Sequence, residues 1–185
     1  MNVTEDEQLV AGALAGNDAA FGMLVDRYQE RLLRFLQTRS RCRADAEDAL
    51  QDTLINAYRY LTSYNPRWRF STWIYRIAIR EAARNATVAA TVPADDIAAA
   101  DDPLATCIAA GERENLWLTA KRLLPPDMFT ALWLHYAEDM PVSDIARSIN
   151  RSMPWTKVAL HRGRRRLRLA MAETETEQSK SEAYG

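Results

Sequence analysis

Apolar residues recur every three or four positions through most of the first 84 residues, the spacing of one face of an α-helix. A first stripe predicts a helix that begins at the N-cap pair Asn17–Asp18 and ends at the polar break 38–43. A second predicted helix begins near Asp45, and a third spans about 71–84, after the turn residues 62–66. The stripes consist of Phe21, Leu24, Val25, Tyr28, Leu32, Phe35 and Leu36, then Leu50, Leu54, Ala57, Tyr58 and Leu61, then Phe70, Trp73, Ile74, Ile77 and Ala78.

The same period returns in the second half of the chain, over residues 112–172. Its four stripes consist of Leu116, Ala120, Leu123 and Leu124, then Phe129, Leu132, Trp133 and Tyr136, then Val142, Ile145, Ala146 and Ile149, then Thr156, Leu160, Gly163 and Leu167. Residues 86–111 are mostly small or acidic and cannot bury enough apolar surface to fold alone, so they predict a linker of low order. The polar, acidic residues 173–185 predict a disordered tail. The expected fold class is therefore all-α, with two small helical domains at 1–85 and 112–172.

Composition excludes several classes of protein. The longest apolar run, Leu9–Gly16, is far shorter than the ~20 residues of a membrane helix, so no membrane insertion is expected. Acidic residues 5–7 argue against a secretory leader. The two cysteines, Cys42 and Cys107, have neither disulfide nor metal-ligand spacing. We expect a cytoplasmic protein.

Charge is arranged in blocks along the 185 residues, although the net charge is only −1. Residues 27–84 and 112–172 have net charges of +6 and +5, whereas 85–111 has a net charge of −4. Two basic blocks separated by an acidic one suggest two bodies that contact a polyanion. Solvated charged faces and codon bias toward arginine explain the same pattern, so charge alone leaves nucleic-acid binding open.

The stretch Val142–Leu167 has the pattern of a helix-turn-helix, in which a short helix, a three-residue turn and a longer basic helix follow one another. A helix of this kind enters the major groove and places side chains on base edges. The outward positions expected to contact DNA are Ser152, Trp155, Lys157, His161, Arg162, Arg164 and Arg165. An ordinary helical hairpin with a solvated basic face is the alternative.

Two further sets of motifs are more specific. The first block contains DAEDALQDTLINAYRYL at 45–61, YNP at 64–66 and FSTWIYRIAIREAAR at 70–84, and the last helix contains LHRGRRRL at 160–167. The first set resembles the second conserved region of bacterial sigma factors, most closely the extracytoplasmic-function (ECF, or group IV) class. The second resembles the fourth sigma region. The resemblance covers roughly residues 9–171 in the family's order.

The resemblance implies an alternative transcription initiation factor that binds core RNA polymerase, directs it to specific promoters and assists melting of the −10 element. In the family the DAED helix docks on the clamp helices of the polymerase β′ subunit, and the neighbourhood before the helix-turn-helix docks on the β flap. The corresponding residues here are Asp45, Asp48, Gln51, Asp52, Leu54, Ile55 and Tyr58, with Phe129, Leu132 and Trp133 for the flap. The acids also compensate the helix dipole at this helix start. Many members are held by an anti-sigma factor, so such a partner is possible here.

The resemblance also assigns capture of an unpaired −10 base to the 62–66 loop, where Ser63, Tyr64 and Asn65 offer hydroxyl, ring and amide groups. A plain turn explains the same residue types. The expected phosphate contacts beside the bubble are Arg69, Arg76, Arg80 and Arg84. Trp68 either stacks on a base or caps the core, whereas Trp73 belongs mostly to the core.

The second domain departs from the family pattern in its recognition helix. Ala159 stands where the family usually has arginine, Val158 replaces serine, and Gly163 lies on the core face. The residues Asn150-Arg151-Ser152 replace the usual Gly-Ile-Ser turn. With Ala159 taken as facing DNA, these changes predict a less strictly recognised −35 element.

No catalytic function is predicted, because the sequence has no Gly-rich phosphate loop, metal-ligand cluster or nucleophile set, and no cofactor is expected. A self-sufficient helix-turn-helix regulator is the alternative function. It explains the basic last helix and leaves the DAED helix, the 62–66 loop and the FSTWIYRIA helix unexplained.

Overall fold

The computed structural model describes residues 3–91 and 112–183, with side chains at 5–85 and 116–172. Within these ranges the chain is helical and contains no strand. It divides into two compact units, the first containing residues 3–91 and the second residues 112–183, which confirms the all-α, two-domain prediction. The helices are α1 (Val3–Leu14), α2 (Asp18–Gln37), α3 (Arg43–Arg59), α4 (Phe70–Thr91), α5 (Glu112–Leu123), α6 (Pro126–Tyr136), α7 (Val142–Ser148) and α8 (Met153–Ala183), with a 3-10 turn at Leu61–Ser63.

The core of the first unit is built from aromatic residues of α2 and α4. The rings of Tyr28 and Phe70 meet edge to face with centroids 5.3 Å apart, and those of Phe35 and Tyr75 do so at 5.4 Å. All four side chains are buried. Edge-to-face pairs of this kind stabilise a core beyond the area they bury, so α2 and α4 form the rigid frame against which α3 packs.

The buried face of α3 differs from the predicted stripe. Its fully buried positions are small residues, Ala46, Ala49, Thr53 and Ala57. Small side chains let α3 approach α2 and α4 closely, which leaves no space for larger residues on that face. The periodicity placed the larger residues Leu50, Leu54 and Tyr58 in the core, but Leu50 and Leu54 are partly exposed and Tyr58 is 55% exposed.

The pattern of apolar residues did not predict α1, which packs against α2. The α1 residue Asp6 is only 5% exposed and accepts hydrogen bonds from Arg27 and from the Tyr28 hydroxyl. Burial, together with the bond to Asp6, raises the pKa of Tyr28. A Cβ atom added to Gly12 would lie 3.2 Å from Ala20 Cβ, so glycine permits the close approach of the two helices. A buried polar cluster thus anchors α1.

The second unit closes around α6, whose face toward the core includes Leu132 and Leu134. Trp117 of α5 packs against Trp133 of α6, with ring centroids 4.8 Å apart. The long helix α8 packs on α5, α6 and α7. Its buried residues are Thr156, Ala159, Leu160, Gly163 and Leu167. This confirms the predicted core face and adds Ala159 to it.

Two helix ends lie beyond their predicted positions. Helix α4 continues to Thr91, past the expected boundary at residue 85, because the added residues are rich in alanine and Pro93 is the first strong helix breaker. Helix α8 continues to Ala183, past residue 173, where the sequence predicted the start of a disordered tail. Residues 173–183 lack glycine and proline and consist largely of good helix formers. The remaining linker residues, 92–111, lie outside the described residues.

Candidate functional site

The solvent-facing side of α3 carries a ridge of residues that step by three, four and three positions: Asp48, Gln51, Ile55 and Tyr58. All four are exposed, and Ile55 and Tyr58 are 53% and 55% exposed despite their size. Of the other predicted residues of this surface, Asp45, Asp52 and Leu54 are partly exposed. Exposed large apolar side chains among acids, on a helix whose other face is packed, are typical of a protein-binding surface.

The N-terminal end of α2 extends this ridge. The Tyr58 hydroxyl donates a hydrogen bond to Asp18 at 2.9 Å, and the ring packs edge to face on Phe21 at 5.0 Å. The bond to Asp18 raises the pKa of Tyr58. The sequence pattern predicted only a helix-capping role for Asp18. Its contact with Tyr58 was not predicted, because the two residues lie 40 positions apart. The two contacts hold Tyr58 in one orientation on the exposed face.

Arginines of α4 expected to contact phosphate lie in a polar cluster between α3 and α4. Glu81, whose side chain is only 4% exposed, lies 3.0 Å from Arg84 Nε and 3.4 Å from Arg80 Nε. Its carboxylate also accepts a hydrogen bond from Asn56 at 3.1 Å, and Arg84 bonds Asp52 as well. The sequence did not single out Glu81, although it is the one acid among the arginines of residues 70–84. Carboxylates therefore already engage Arg80 and Arg84, whereas Arg76 is exposed.

The structure contradicts one assignment in the 62–66 loop. Tyr64 is only 7% exposed, because its ring packs edge to face on Phe70 and Trp73 at 6.0 and 5.7 Å. Its hydroxyl donates to the Trp68 carbonyl. The ring is thus part of the core and is not available to stack on a base.

Other residues of the loop remain at the surface. The Ser63 hydroxyl donates to the Tyr60 carbonyl at 2.7 Å. The Asn65 side-chain oxygen accepts from Arg67 N at 3.0 Å, an Asx turn that keeps this exposed residue at the loop tip. Trp68 and Arg69 are partly exposed, so both interpretations of Trp68 stay open. The loop is therefore a hydrogen-bonded turn whose polar side chains, Ser63 and Asn65, are accessible to solvent.

The helix-turn-helix is confirmed by the geometry between α7 and α8. Asn150 has a φ of 54°, in the left-handed region where glycine and asparagine are favoured. Its N–H donates to the Arg147 carbonyl at 3.3 Å, and the Arg151 N–H donates to the Ala146 carbonyl at 2.9 Å. This pair of bonds is a Schellman end of α7. Asn150 therefore adopts the left-handed conformation that favours glycine, the residue expected at this position from the family resemblance.

The outward face of α8 is basic. The predicted residues Lys157, His161, Arg162, Arg164 and Arg165 are all exposed. Arg166 and Arg168 are exposed on the same helix and were not predicted. Ala159 is only 3% exposed, so the assumption that it faces DNA is wrong, because this position faces the core of the unit. Because residue 159 faces the core, the absence of arginine there does not predict a less strictly recognised −35 element.

The expected flap-binding residues of α6 are buried. Phe129, Leu132 and Trp133 are 4%, 1% and 8% exposed, because the apolar face of α6 packs against α5 and α8. They form the core of the second unit and not an exposed docking surface. The nearby Tyr136 is 47% exposed.

Comparison with known proteins accounts for both units. The family model for Sigma-70 region 2 matches residues 24–89, and the model for Sigma-70 region 4 matches residues 115–167. The ECF RNA polymerase sigma-E factor of Haemophilus influenzae is 30% identical over 173 residues, which cover 86% of this chain and 91% of the relative. The chain belongs to the ECF sigma factors.

Other relatives agree with this assignment. The RNA polymerase sigma-H factor of Pseudomonas aeruginosa is 32% identical to this sigma factor, covering 77% of this chain and 81% of the relative. The ECF sigma factor SigM of Mycobacterium tuberculosis (strain H37Rv) is 29% identical, with 88% and 82% covered. As an alternative sigma factor, the protein directs RNA polymerase to promoters. The region 2 match also explains the first unit, which a self-sufficient regulator leaves without a role.

Solved structures show the same fold. CnrH, solved in complex with the cytosolic domain of CnrY, superposes with a TM-score of 0.70 at 20% identity, covering 91% of this sigma factor and 98% of that chain. RpoE of Bartonella quintana, solved in complex with the anti-sigma factor NepR, gives 0.59 at 20% identity, with 82% and 96% covered. Among the helices that the structure describes, none is both long and apolar enough to cross a bilayer.

Proposed function

We propose that the α3 ridge, Asp48, Gln51, Ile55 and Tyr58, is the surface by which this sigma factor binds core RNA polymerase, on the clamp helices of the β′ subunit. The observation that supports this most strongly is that α3 buries its small residues and exposes its large apolar ones. Alanines and a threonine occupy its buried face, while Ile55 and Tyr58 are more than half exposed beside acids. Burial of such apolar side chains drives association, and the flanking acids add electrostatic complementarity.

Charge reversal on the ridge tests this proposal. Asp48→Arg should weaken binding to core polymerase by roughly tenfold or more, because it reverses the charge by which the acids of the ridge would complement their partner. The matched control is Glu30→Arg on α2, an equally large charge change at a carboxylate whose side chain is 81% exposed. Fluorescence titration with core enzyme measures the affinities, and circular dichroism checks helicity. Normal core binding by folded Asp48→Arg would refute the assignment.

We infer that the first unit also captures the −10 element, through Ser63 and Asn65 at the loop and the arginines of α4. Tyr64 supports the shape of this loop from the core and does not itself stack on a base. Single-stranded DNA binding combines a basic path for phosphates with groups that engage unpaired bases. Because Glu81 and Asp52 pair with Arg80 and Arg84, these two arginines have to exchange carboxylates for phosphates, whereas Arg76 lies outside those pairs.

In the second unit, we infer that α8 enters the major groove of the −35 element. Support comes from the Schellman turn and from the row of exposed basic side chains that follows it. Since Phe129, Leu132 and Trp133 are buried, contact with the β flap has to use exposed residues of this unit, of which Tyr136 is one.

We further infer that the protein works in the cytoplasm and performs no catalysis, since the polymerase supplies the chemistry of RNA synthesis. An anti-sigma factor is a reasonable additional partner, because RpoE of Bartonella quintana, which has this fold, forms a complex with one. Runoff transcription tests the function as a whole: promoter-specific transcripts should require both this protein and core enzyme.

A further inference from the structure

Three side chains from three different elements meet beside the helix-turn-helix turn. Asp127 lies in the first turn of α6, Arg151 in the connection between α7 and α8, and Trp155 in the first turn of α8. Both Nε, at 3.0 Å, and Nη2 of Arg151 donate to the same carboxylate oxygen of Asp127. The guanidinium carbon lies 5.2 Å from the centroid of the Trp155 ring, within the range of a cation–π contact.

The backbone holds these side chains in a fixed relation. The Schellman bond from Arg151 N to the Ala146 carbonyl fixes the position of the arginine. Ser152 Oγ accepts the Trp155 N–H at 3.3 Å, and the Ser152 carbonyl accepts the Thr156 N–H at 2.9 Å. Ser152 therefore caps the start of α8, and the first turn of this helix is set relative to Arg151 before any DNA is bound.

The arrangement limits what Arg151 and Trp155 can do. Asp127 neutralises the charge of Arg151 and orients its planar fork, so one side of the tryptophan faces a cation that is already paired. Trp155 is partly exposed and lies at the N-terminal end of the helix that enters the groove. Side chains at that end of a recognition helix contact base edges. A large ring held in one orientation presents a defined apolar surface to a thymine methyl or a sugar.

We propose that Asp127 and Arg151 are positioning residues that fix Trp155 as a specificity-determining contact to the −35 element. This inference rests on the proposed binding of α8 to that element. Arg151 then makes no phosphate contact in the complex, and its contribution is transmitted through the tryptophan ring. In the opposing arrangement, Asp127 only masks the charge of Arg151. When DNA binds, Arg151 then dissociates from Asp127 and pairs with a phosphate.

The two arrangements predict opposite effects for Asp127→Asn in reconstituted holoenzyme. With a positioning role, the variant lowers discrimination at one −35 base pair by roughly fivefold, or ~1 kcal/mol, because a neutral amide no longer fixes the Arg151 fork against the Trp155 ring. The salt slope of promoter binding stays unchanged. With a masking role, the variant binds promoter DNA more tightly. Arg151→Gln then lowers the salt slope by about one, the loss expected for one phosphate contact.

The experiment measures two quantities for each holoenzyme, the −35 preference selected from a randomised promoter library and the salt dependence of affinity for one promoter. The variants are Asp127→Asn, Arg151→Gln, Arg151→Lys and Trp155→Ala, with Arg122→Gln on α5 as the control for loss of one exposed arginine. Arg151→Lys keeps the charge and loses the planar fork, so with a positioning role it behaves like Arg151→Gln. The ion pair is about half exposed and contributes little stability, so the Asp127 and Arg151 variants should fold normally.

The double variant Asp127→Asn with Trp155→Ala shows whether the effect of Asp127 on base preference depends on the Trp155 ring. The proposal expects Asp127→Asn to have no further effect on base preference once the ring is absent. An undiminished effect in that background, or tighter binding by Asp127→Asn alone, overturns it. A −35 preference that Trp155→Ala leaves unchanged also overturns the proposal. The proposed function of α8 would still stand in that case if replacement of Arg162 or Arg165 weakened promoter binding.

Discussion

Replacing Gly163 by alanine tests the packing of the second unit most directly. Alanine is the residue with the highest helix propensity, so at an unconstrained position the change should stabilise a helix by about 1 kcal/mol. At Gly163 the new Cβ would lie 2.5 Å from Leu132 Cδ1 and 3.3 Å from Cδ2, whereas ordinary carbon contacts are about 3.5–4.0 Å. Leu132 is 1% exposed and surrounded by core, so it has little space in which to move.

The expected result follows from the balance of these two effects. Overpacking of a core typically costs about 1–3 kcal/mol, which exceeds the gain in helix propensity. We therefore expect Gly163→Ala to destabilise the second unit by about 1 kcal/mol. The matched control is Gly22→Ala on α2, where no atom lies within 4 Å of the added Cβ. That variant should stabilise the first unit by about 1 kcal/mol.

Hydrogen exchange of the full-length chain measures both effects, because amides of α2 and α6 report the stability of each unit separately. Shortening the neighbour should rescue the first variant: Leu132→Val removes both Cδ atoms, so it should cost about 1 kcal/mol less in the Gly163→Ala background than in the chain that retains Gly163. Stabilisation of the second unit by Gly163→Ala, equal to that of Gly22→Ala in the first, would show that Leu132 yields freely and that this packing argument is wrong.

Two further predictions concern the first unit. Burial raises the pKa of Tyr64 to about 12, above its unfolded value of about 10. The contribution of this shift to the free energy of unfolding should be present in full below about pH 10 and be lost as the pH rises toward about 12. Urea midpoints should therefore decline less steeply with rising pH in Tyr64→Phe than in the chain that retains Tyr64. Asn65→Ala should lower the permanganate reactivity of −10 thymines in the open complex, because its exposed amide is available to an unpaired base, whereas Tyr64→Phe, which keeps the packed ring, should open the promoter normally. Normal opening by Asn65→Ala together with loss in Tyr64→Phe would contradict the reassignment of the loop.

The sequence by itself determined the helical class, the two units and the family, because these depend on local properties. The three- to four-residue period is set by the geometry of the α-helix, and it correctly placed the core faces of α2 and α4 and most of that of α8. Motifs such as DAED and FSTWIYRIA are contiguous strings, so they identify the sigma regions without any knowledge of packing. The turn residues around Asn150 likewise marked the helix-turn-helix correctly.

Tertiary structure alone decided which residues face outward where size and polarity conflict. On α3, close packing between α2 and α4 selects alanine over leucine for the core, so the larger Ile55 and Tyr58 lie at the surface. The same kind of packing buries Tyr64, Trp133 and Ala159, for which the family resemblance had implied contact with partners. Periodicity reports which residues share a helix face, but the space between neighbouring helices determines which face is buried. That space depends on residues far apart in sequence, as do the contacts of Tyr58 with Asp18 and of Arg151 with Asp127.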